Sequence, residues 1–427
     1  AASFGLGACV GLLSGRVAYD LGLAIGLLAA LALQRQRTLT ASVLAVLTSV
    51  ASPVAGAFLA LAGLACALAG HQPRRRLRLG GVAVLLCALA PILAFSIAFP
   101  EGGYEPFAPS VFWPGLAGII MIVLALPRVS GSLTPRSREV LRWGLWLYAA
   151  ALIGSFALHT PVGSNAARLG ELIGAPLVAA VLWDRHRLVL AIAAPVLLYW
   201  QLETPINDVS SLTADHSVNA SYYAPLLGEL KRLAGTSPLR VEVPLTGAHW
   251  ESVYLPEHPP ILLARGWERQ LDTRHASLFY ASKLNATAYR SWLDENAVSY
   301  VALPDVRLDF AGEQEGRLIA SGLPYLHLIW RSAHWRVYAV VGARPLVQPP
   351  ALLSAMTADS FTITAPRPGV FGVRVRFTPY WALQSGQGCV GEAPGGWSYV
   401  QARAPGLIHV GIDFSLARVF THGPRCN

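Results

Sequence analysis

The chain has 427 residues, of which 54% are hydrophobic and 13% charged, and its mean hydropathy is +0.46. Soluble domains carry a charged share of about 25%, so this composition excludes an ordinary soluble protein and indicates a polytopic membrane protein. The formal net charge of +9 does not indicate nucleic-acid binding, because no basic stripe with interleaved aromatic residues accompanies it.

Charged residues divide the chain into two regions. Residues 1–202 contain 14 arginines, no lysine and only six acidic residues, whereas residues 203–427 contain the other 18 acidic residues. This contrast predicts a membrane half followed by a water-exposed half. We expect a transmembrane helical domain over 1–204, a small α/β module over 205–345 and a β-sandwich over 346–427.

The first predicted spans lie close together. The opening residues, AASFGLGACVGLLS, resemble the second half of a spanning helix, so we expect further membrane segments upstream. Residues 17–33 form the next span. The apolar run 39–70 is too long for one span and is interrupted at Ser52 and Pro53, which predicts a helical hairpin.

Arginine-rich loops predict the topology of the membrane half. Further spans are expected at 79–99, 111–126, 140–158, 169–183 and 188–202, which gives about seven to eight spans in all. Every arginine-rich loop then falls on one side, the cytoplasmic side of a bacterial plasma membrane. Residues 99–107, 159–168 and the whole region 203–427 are therefore predicted to be extracytoplasmic.

The water-exposed half has two patterns. Helical and strand patterns alternate from 205 to 345, with helices expected at 222–235, 286–297 and 313–322, strands at 239–245 and 298–304, and a strand pair over 327–341. From 346 onward apolar and polar residues alternate between Pro and Gly turns, which predicts an antiparallel β-sandwich. Cys389 and Cys426 are the only cysteines of this half, and in an oxidising compartment they are predicted to form a disulfide.

Two glutamates in the segment FPEGGYEPF, residues 99–107, are the first candidates for catalysis. Glu101 and Glu105 are four residues apart and either share a helical face or flank the Gly-Gly turn between them. In either arrangement the pair can act as a general base or hold a divalent cation, Mg²⁺ or Mn²⁺. The alternative is a loop with solvated carboxylates. Asp20 is a third catalytic candidate, with helix capping as its alternative role.

The second candidate set lies in and around HTPVGSNAAR, residues 159–168. Arg168 opposes the charge bias of the outer side, which indicates an anionic partner such as a phosphate-bearing lipid. We expect His159, Asn165 and Tyr104 to bind substrate with it. The alternatives are an arginine that extends to the lipid headgroups and an intrahelical ion pair with Glu171.

Aromatic and charged residues are densest in HWESVYLPEH and ARGWERQLD, residues 249–258 and 264–272. Trp250, Trp267 and Arg265 are of the types that stack on sugar rings and bind hydroxyl groups. The alternative is a structural cluster that holds elements together. CxxC, HExxH, Walker and GxSxG motifs are all absent, so zinc, redox, ATP-driven and hydrolase-elbow chemistry lack their motifs.

Several segments together resemble a group of large actinobacterial integral membrane proteins. They include SPVAGAFLALAG (52–63), FPEGGYEPF, TPVGSNAARLGELIGAPL (160–177), VSYVALPD (298–305), SGLPYLHLIWRSAHWRVYAV (321–340) and APGGWSYVQARAPG (393–406). The architecture is similar to that of GT-C glycosyltransferases, in which a many-helix membrane domain acts on polyprenyl-phosphate sugars and carries an outer soluble module. In that class the catalytic acidic residue most often lies in the first outer loop, a region that we expect to lie upstream of residue 1.

The resemblance implies an enzyme that transfers a sugar from a polyprenyl-phosphate donor to a cell-envelope glycan or lipid. The alternative is a non-enzymatic transporter or envelope-assembly scaffold whose outer domains bind glycan or a partner. Transport requires ionisable groups or broken helices near the middle of the membrane, and the sequence has few such groups. This favours the enzyme. Membrane lipid, a polyprenyl-linked sugar and envelope glycan are the expected partners, and nucleic acid is not.

Overall fold

The computed structural model describes residues 2–69, 75–100, 102–126, 134–183, 187–281, 283–421 and 426. The chain divides into two compact units: unit 1 is Ala1–Ser210 with Arg269–Leu271, and unit 2 is Ser211–Glu268 with Asp272–Asn427. Unit 1 is helical, whereas unit 2 contains an α/β module followed by antiparallel sheets. The predicted fold class, a helical membrane domain followed by an α/β module and a β-sandwich, is thus confirmed.

Nine helices account for most of the described part of the membrane half. They are α1 (Ala2–Leu13), α2 (Val17–Gln34), α3 (Thr38–Ala51), α4 (Pro53–Leu68), α5 (Arg75–Ala98), α6 (Pro109–Ala125), α7 (Pro135–Ala157), α8 (Arg168–Leu182) and α9 (Arg187–Ala214). Three of these, α2, α5 and α7, are long and apolar enough to cross a bilayer. The number of spans stays a prediction.

Large apolar side chains cover the outside of unit 1. Leu39, Leu188 and Ile192 are 80%, 76% and 70% exposed, which is the arrangement expected of a surface that faces lipid. Helix contacts inside the unit instead involve small residues. Gly63 of α4 and Gly81 of α5 lie so close together that a methyl group on either would clash with the carbonyl oxygen of the other.

Two helix boundaries in unit 1 bear on the predictions. The expected break at Ser52 is present: α3 ends one residue earlier, and the Ser52 hydroxyl caps α4 by accepting a hydrogen bond from the Ala55 amide. Helix α9, however, continues past the expected end at 202 to Ala214. It ends where Asp215 accepts a hydrogen bond from the Ser217 amide and thereby starts a separate turn.

The α/β module of unit 2 contains a five-stranded sheet. Its helices are α10 (Ala220–Ala234), α11 (Glu251–Tyr254), α12 (Arg269–His275, of which Arg269–Leu271 belong to unit 1), α13 (Ala286–Glu295) and α14 (Phe310–Ala320). Its strands are β1 (Leu239–Glu242), β2 (Ile261–Leu263), β3 (Tyr300–Pro304), β4 (Leu326–Arg331) and β5 (Trp335–Val340). The strand order is β2-β1-β3-β5-β4, with β2, β1 and β3 parallel and the β3-β5 and β5-β4 pairs antiparallel. The predicted elements are therefore present, and β2 is an addition.

Two antiparallel sheets follow. Their strands are β6 (Leu352–Met356), β7 (Ser360–Ala365), β8 (Gly369–Arg376), β9 (Trp381–Ser385), β10 (Gly388–Ala393), β11 (Trp397–Ala402) and β12 (Gly406–Ile412), and α15 (Leu416–Thr421) comes after them. One sheet has the order β10-β11-β8 and the other β6-β7-β12-β9. Phe371 and Val400 from the first sheet and Ile363 and Val410 from the second belong to one core. The predicted disulfide between Cys389 and Cys426 is present.

Candidate functional site

Three segments of unit 1 meet around a group of charged side chains. They are the turn before α2 together with the first residues of that helix (14–20), the loop before α6 (102–108), and the segment that leads into α8 together with the first turn of that helix (159–171). We call Arg16, Asp20, Glu105, Arg168 and Glu171 the charged cluster. Each of the five side chains is only partly exposed, so their charges interact more strongly than they would in open water.

The loop before α6 is fixed to the segment that leads into α8. The Glu105 amide donates a hydrogen bond of 3.0 Å to the Thr160 carbonyl, and the Ser164 hydroxyl donates one of 3.2 Å to Glu105 Oε1. Gly163 has a φ of +44° and lies directly against the Glu105 carbonyl, where a side chain would not fit. The two predicted outer segments thus form one structure around Glu105.

Tyr148 of α7 holds the start of α8. Its hydroxyl donates to the Ala166 carbonyl at 2.9 Å and accepts from the Gly170 amide, also at 2.9 Å. The ring is buried, so this hydroxyl satisfies backbone groups that water does not reach. Arg168 lies between the two bonded residues, and its backbone position therefore depends on Tyr148.

The arginines of the charged cluster interact with both acidic and aromatic groups. Arg16 Nη1 lies 3.7 Å from Glu171 Oε2, and the Arg168 guanidinium lies over the Tyr19 ring at 5.5 Å from its centroid. Arg168 is also within electrostatic range of Glu105, Glu171 and Arg16. The sequence analysis left open an intrahelical ion pair between Arg168 and Glu171. In the structure Arg16 lies at ion-pair distance from Glu171, and Arg168 lies within electrostatic range of it.

Buried polar atoms beside the charged cluster have no hydrogen-bond partner among the described residues. They are Asp20 Oδ2, the Tyr19 hydroxyl and Ser14 Oγ. Leaving such atoms unsatisfied costs about 1–3 kcal/mol each, and for a carboxylate the cost is higher. Asp20 lies within electrostatic range of Arg16 and Arg168. The arrangement therefore has both the charge and the unused hydrogen-bonding capacity of a site that binds a polar ligand.

An apolar cavity begins one residue from Arg168. It has a volume of about 370 Å³ and is lined by side chains of α2, α4, α5, α6, α7 and α8, including Phe58, Tyr148 and Leu169. Phe58 contacts both Tyr19 and Tyr148 at centroid distances of 6.4 Å. The charged cluster and the cavity thus share a boundary made of aromatic rings.

Most of the predicted membrane-side residues come together. Asp20, Glu105 and Arg168 all belong to the charged cluster. Asn165 lies in the turn that precedes Arg168, and its backbone N–H donates a hydrogen bond to the Val162 carbonyl. Tyr104 and His159 contact each other, with ring centroids 4.5 Å apart. Tyr104 directly precedes Glu105 in the chain and His159 directly precedes Thr160, the two residues that the backbone hydrogen bond joins.

The metal prediction stays a prediction. Glu101 lies outside the described residues, so its pairing with Glu105 around Mg²⁺ or Mn²⁺ is not described. Within the described part of the chain, no three His, Cys, Asp or Glu side chains are grouped as a metal site. We assign no chemical step to a cation.

The predicted aromatic residues of unit 2 have different surroundings. Trp267 is 53% exposed and stacks on His249 at a centroid distance of 5.7 Å. Trp250 instead stacks on Tyr254 at 5.4 Å and packs on the core of the α/β module. Trp267 therefore keeps an exposed face that suits sugar stacking, whereas Trp250 has a structural contact.

Arg265 is buried in the α/β module rather than exposed to a sugar. Its guanidinium lies 3.2 Å from Glu242, 3.5 Å from Glu315 and 3.9 Å from Asp272, and its side chain is 3% exposed. It also lies over the Phe279 ring at 3.8 Å from the centroid. This position agrees with the structural alternative of the sequence analysis, in which the cluster holds elements together.

Sequence patterns did not identify Tyr148 or Phe58 as parts of this site. Both look like ordinary apolar positions of spanning helices, and their contacts are with residues far along the chain. One feature of the sequence could have identified Tyr148: a tyrosine hydroxyl within a membrane span requires a hydrogen-bond partner. Arg16 was not predicted as a site residue.

No protein-family model and no curated protein matches the sequence. Among solved structures, the chain is similar to the single-particle cryo-EM structure of the arabinofuranosyltransferase AftD from Mycobacteria, with 16% sequence identity and a TM-score of 0.35. The likeness covers 87% of this chain and 33% of that one, so the chain spans about a third of the length of that protein.

Proposed function

We propose that the chain belongs to a multi-pass membrane glycosyltransferase of the GT-C type. On this proposal it transfers a sugar from a polyprenyl-phosphate donor to a cell-envelope glycan or lipid, with residues 205–427 on the extracytoplasmic side of the plasma membrane. The observation that carries the proposal is the buried, unpartnered oxygen of Asp20 close to Arg16 and Arg168. Both the donor phosphate and the acceptor hydroxyl have complementary groups there.

Arg168 and Arg16 bind the donor phosphate in this proposal. A guanidinium group presents parallel N–H donors that match phosphate oxygens, and it remains charged at every physiological pH. The partial burial of both arginines strengthens the attraction relative to open water. The same two charges stabilise the polyprenyl phosphate as a leaving group.

Asp20 acts as the general base. The acceptor hydroxyl oxygen forms a bond to C1 of the donor sugar while the bond between C1 and the phosphate oxygen breaks. The hydroxyl proton passes to the Asp20 carboxylate, and the electron pair of the broken bond remains on the polyprenyl phosphate next to the arginines. An unused carboxylate oxygen is what such a base requires. Glu105, fixed by Ser164, accepts sugar hydroxyls.

The apolar cavity beside Leu169 accommodates part of the polyprenyl chain. It is lined by apolar side chains of six helices of the membrane half, and isoprene units have no polar groups that would need partners there. Phe58 lines the cavity and contacts Tyr19, over which the Arg168 guanidinium lies. A phosphate bound by Arg168 would therefore lie near the boundary between charged and apolar surroundings. A polyprenyl phosphate has the same division between an anionic end and an apolar chain.

The proposal is tested in a strain whose envelope depends on the intact protein. Asp20→Asn keeps the shape of the side chain but removes the base. We expect the rate of sugar transfer to fall about 100-fold or more and the envelope glycan composition to change. Arg142→Gln, a change at an exposed arginine of α7, is the control and should leave the composition unchanged. Unaltered glycan in a stably expressed Asp20→Asn strain would favour the non-enzymatic scaffold or transporter.

A further inference from the structure

A second cavity lies in the β-sandwich, in unit 2. It has a volume of about 370 Å³ and is bounded by the chain before β6, the middle of β8, the end of β10 and the start of β11. Small-molecule sites have volumes of about 300–1,000 Å³. The cavity is therefore large enough for one sugar ring, and the sequence analysis did not single it out.

The lining of this cavity supplies hydrogen-bond donors and positive charge. Arg344 and Arg374 line it, and its lining residues, all of which the structure describes, include no acidic side chain. Trp397 Nε1 and Ser398 Oγ are buried polar atoms without a hydrogen-bond partner in the described residues. Trp397 is 4% exposed and Ser398 fully buried. Two arginines and two unused donors favour an acceptor-rich, anionic ligand.

Further arginines behind the cavity increase the positive potential. The Arg376 guanidinium lies over Trp397 at 3.7 Å from the ring centroid and donates to the Gly395 carbonyl. Arg240 is buried and donates to the carbonyls of Asn296 and Arg374. These carbonyls pair with its two Nη atoms, whereas its buried Nε has no hydrogen-bond partner among the described residues. Neither carbonyl carries a full negative charge to balance the guanidinium.

Neighbouring arginines contribute to two pKa shifts whose largest cause is burial. Burial, together with the charges of Arg376 and Arg374, lowers the pKa of Arg240 to about 10. Burial and the charges of Arg376 and Arg274 lower the pKa of His275. In both cases neighbouring arginines disfavour an added positive charge, although Glu295 partly offsets this effect at Arg376.

We propose that this cavity binds an anionic sugar, that is, a carboxylate or phosphate group carried on a pyranose-sized ring. Arg344, Arg374, the Trp397 indole N–H and the Ser398 hydroxyl bind the anionic oxygens. Pro345, Pro349 and Pro394 line the same cavity and provide apolar surfaces for the ring. This inference concerns unit 2 alone and does not depend on the proposed transfer reaction.

Calorimetric titration of the intact protein in detergent tests the ligand class. The probes are glucuronate, glucose 1-phosphate, glucose and inorganic phosphate. We expect glucuronate or glucose 1-phosphate to bind more tightly than glucose, by about tenfold or more, with an affinity that falls as the salt concentration rises. Whichever of these two sugars binds more tightly shows whether the site prefers a carboxylate or a phosphate. Glucose binding as tightly as both would overturn the anionic part of the proposal. Inorganic phosphate binding as tightly as glucose 1-phosphate would overturn the sugar part.

Single substitutions test the location. Arg374→Gln should weaken the favoured anionic sugar at least about tenfold, and Arg374→Lys should restore part of the loss because it restores the charge. Arg344→Gln should act in the same direction, and because this side chain is exposed the variant tests the site even if Arg374→Gln does not fold. Arg367→Gln, at an exposed turn of the same sandwich, is the matched control. Unchanged affinity in Arg344→Gln would place the ligand elsewhere and contradict the proposal.

Discussion

Asp20 and Arg265 show how the surroundings of a charged side chain decide what it can do. The sequence marked both as site residues on the basis of residue type and neighbours. In the structure, Asp20 keeps an oxygen without a partner, whereas Arg265 is surrounded by Glu242, Asp272 and Glu315. Glu242 and Glu315 lie 23 and 50 positions from Arg265 along the chain, so a reading of local patterns does not detect this cluster.

The buried cluster predicts an unusual pH dependence of stability. Burial, reinforced by the Glu315 carboxylate, raises the pKa of Glu242 well above its ordinary value, and burial also raises the pKa of Glu315. The folded chain therefore keeps a proton on this pair at pH values where an unfolded glutamate, with a pKa of about 4.3, has lost it. The stabilisation is complete below that pH and is lost as pH rises toward the folded pKa, by up to about 1.4 kcal/mol per pH unit.

Glu242→Gln removes the ionisation and keeps the shape of the side chain. We expect the variant to melt several degrees above the wild type at pH 8, with a smaller difference at pH 5, in thermal melts of the intact protein. Glu313→Gln, at a carboxylate that is 51% exposed and paired with Arg317, is the control and should change the melting temperature little at either pH. A wild type that gains stability relative to Glu242→Gln between pH 5 and 8 would contradict this reasoning.

The boundaries of the elements were largely predictable, and the contacts between them were not. Helix α8 begins at Arg168, one residue before its predicted start. This start was predictable because the apolar run of the helix and the Gly-Ser-Asn turn before it are both local features of the sequence. The hydrogen bonds of Tyr148 to Ala166 and Gly170 are not local, since they join α7 to α8. Strand β2 was missed because three residues are too few for a periodic pattern.

Tyr148→Phe tests the role of α7 in holding the start of α8. The change leaves the Gly170 amide without its acceptor, at a cost of about 1–3 kcal/mol, so we expect a lower melting temperature in detergent and weaker binding of a polyprenyl phosphate. Tyr199→Phe is the matched control, because Tyr199 is 69% exposed on α9. Equal melting temperatures for the two variants would show that the Tyr148 hydroxyl does not stabilise this end of α8.

At the scale of the whole molecule, hydropathy and charge predicted the order of the parts. The contrast in acidic residues between 1–202 and 203–427 corresponds to a helical unit followed by a unit with sheets. The convergence of three segments on the charged cluster was only partly predictable. Charge bias predicted that two of these segments, 99–107 and 159–168, lie on the same side of the membrane. The contacts among all three depend on helix packing, which a single sequence does not specify.

The predicted topology is open to a labelling experiment. In a protein whose free cysteines, Cys9, Cys66 and Cys87, are replaced by alanine, a single cysteine is introduced by Arg35→Cys or by Arg367→Cys, both at exposed positions. A maleimide that does not cross the membrane should label Arg367→Cys in whole cells and should label Arg35→Cys only after lysis. The opposite pattern would place residues 205–427 in the cytoplasm.

We propose that the charged cluster transfers a sugar from a polyprenyl phosphate. The most direct measurement follows a radiolabelled sugar from that donor to a glycan acceptor, with the intact protein in nanodiscs. We predict transfer by the wild type and by Arg142→Gln, and a kcat/KM about 100-fold lower for Arg168→Gln, which Arg168→Lys restores in part. Equal kcat/KM values for the wild type and Arg168→Gln, or no transfer by the wild type, would contradict the proposed function.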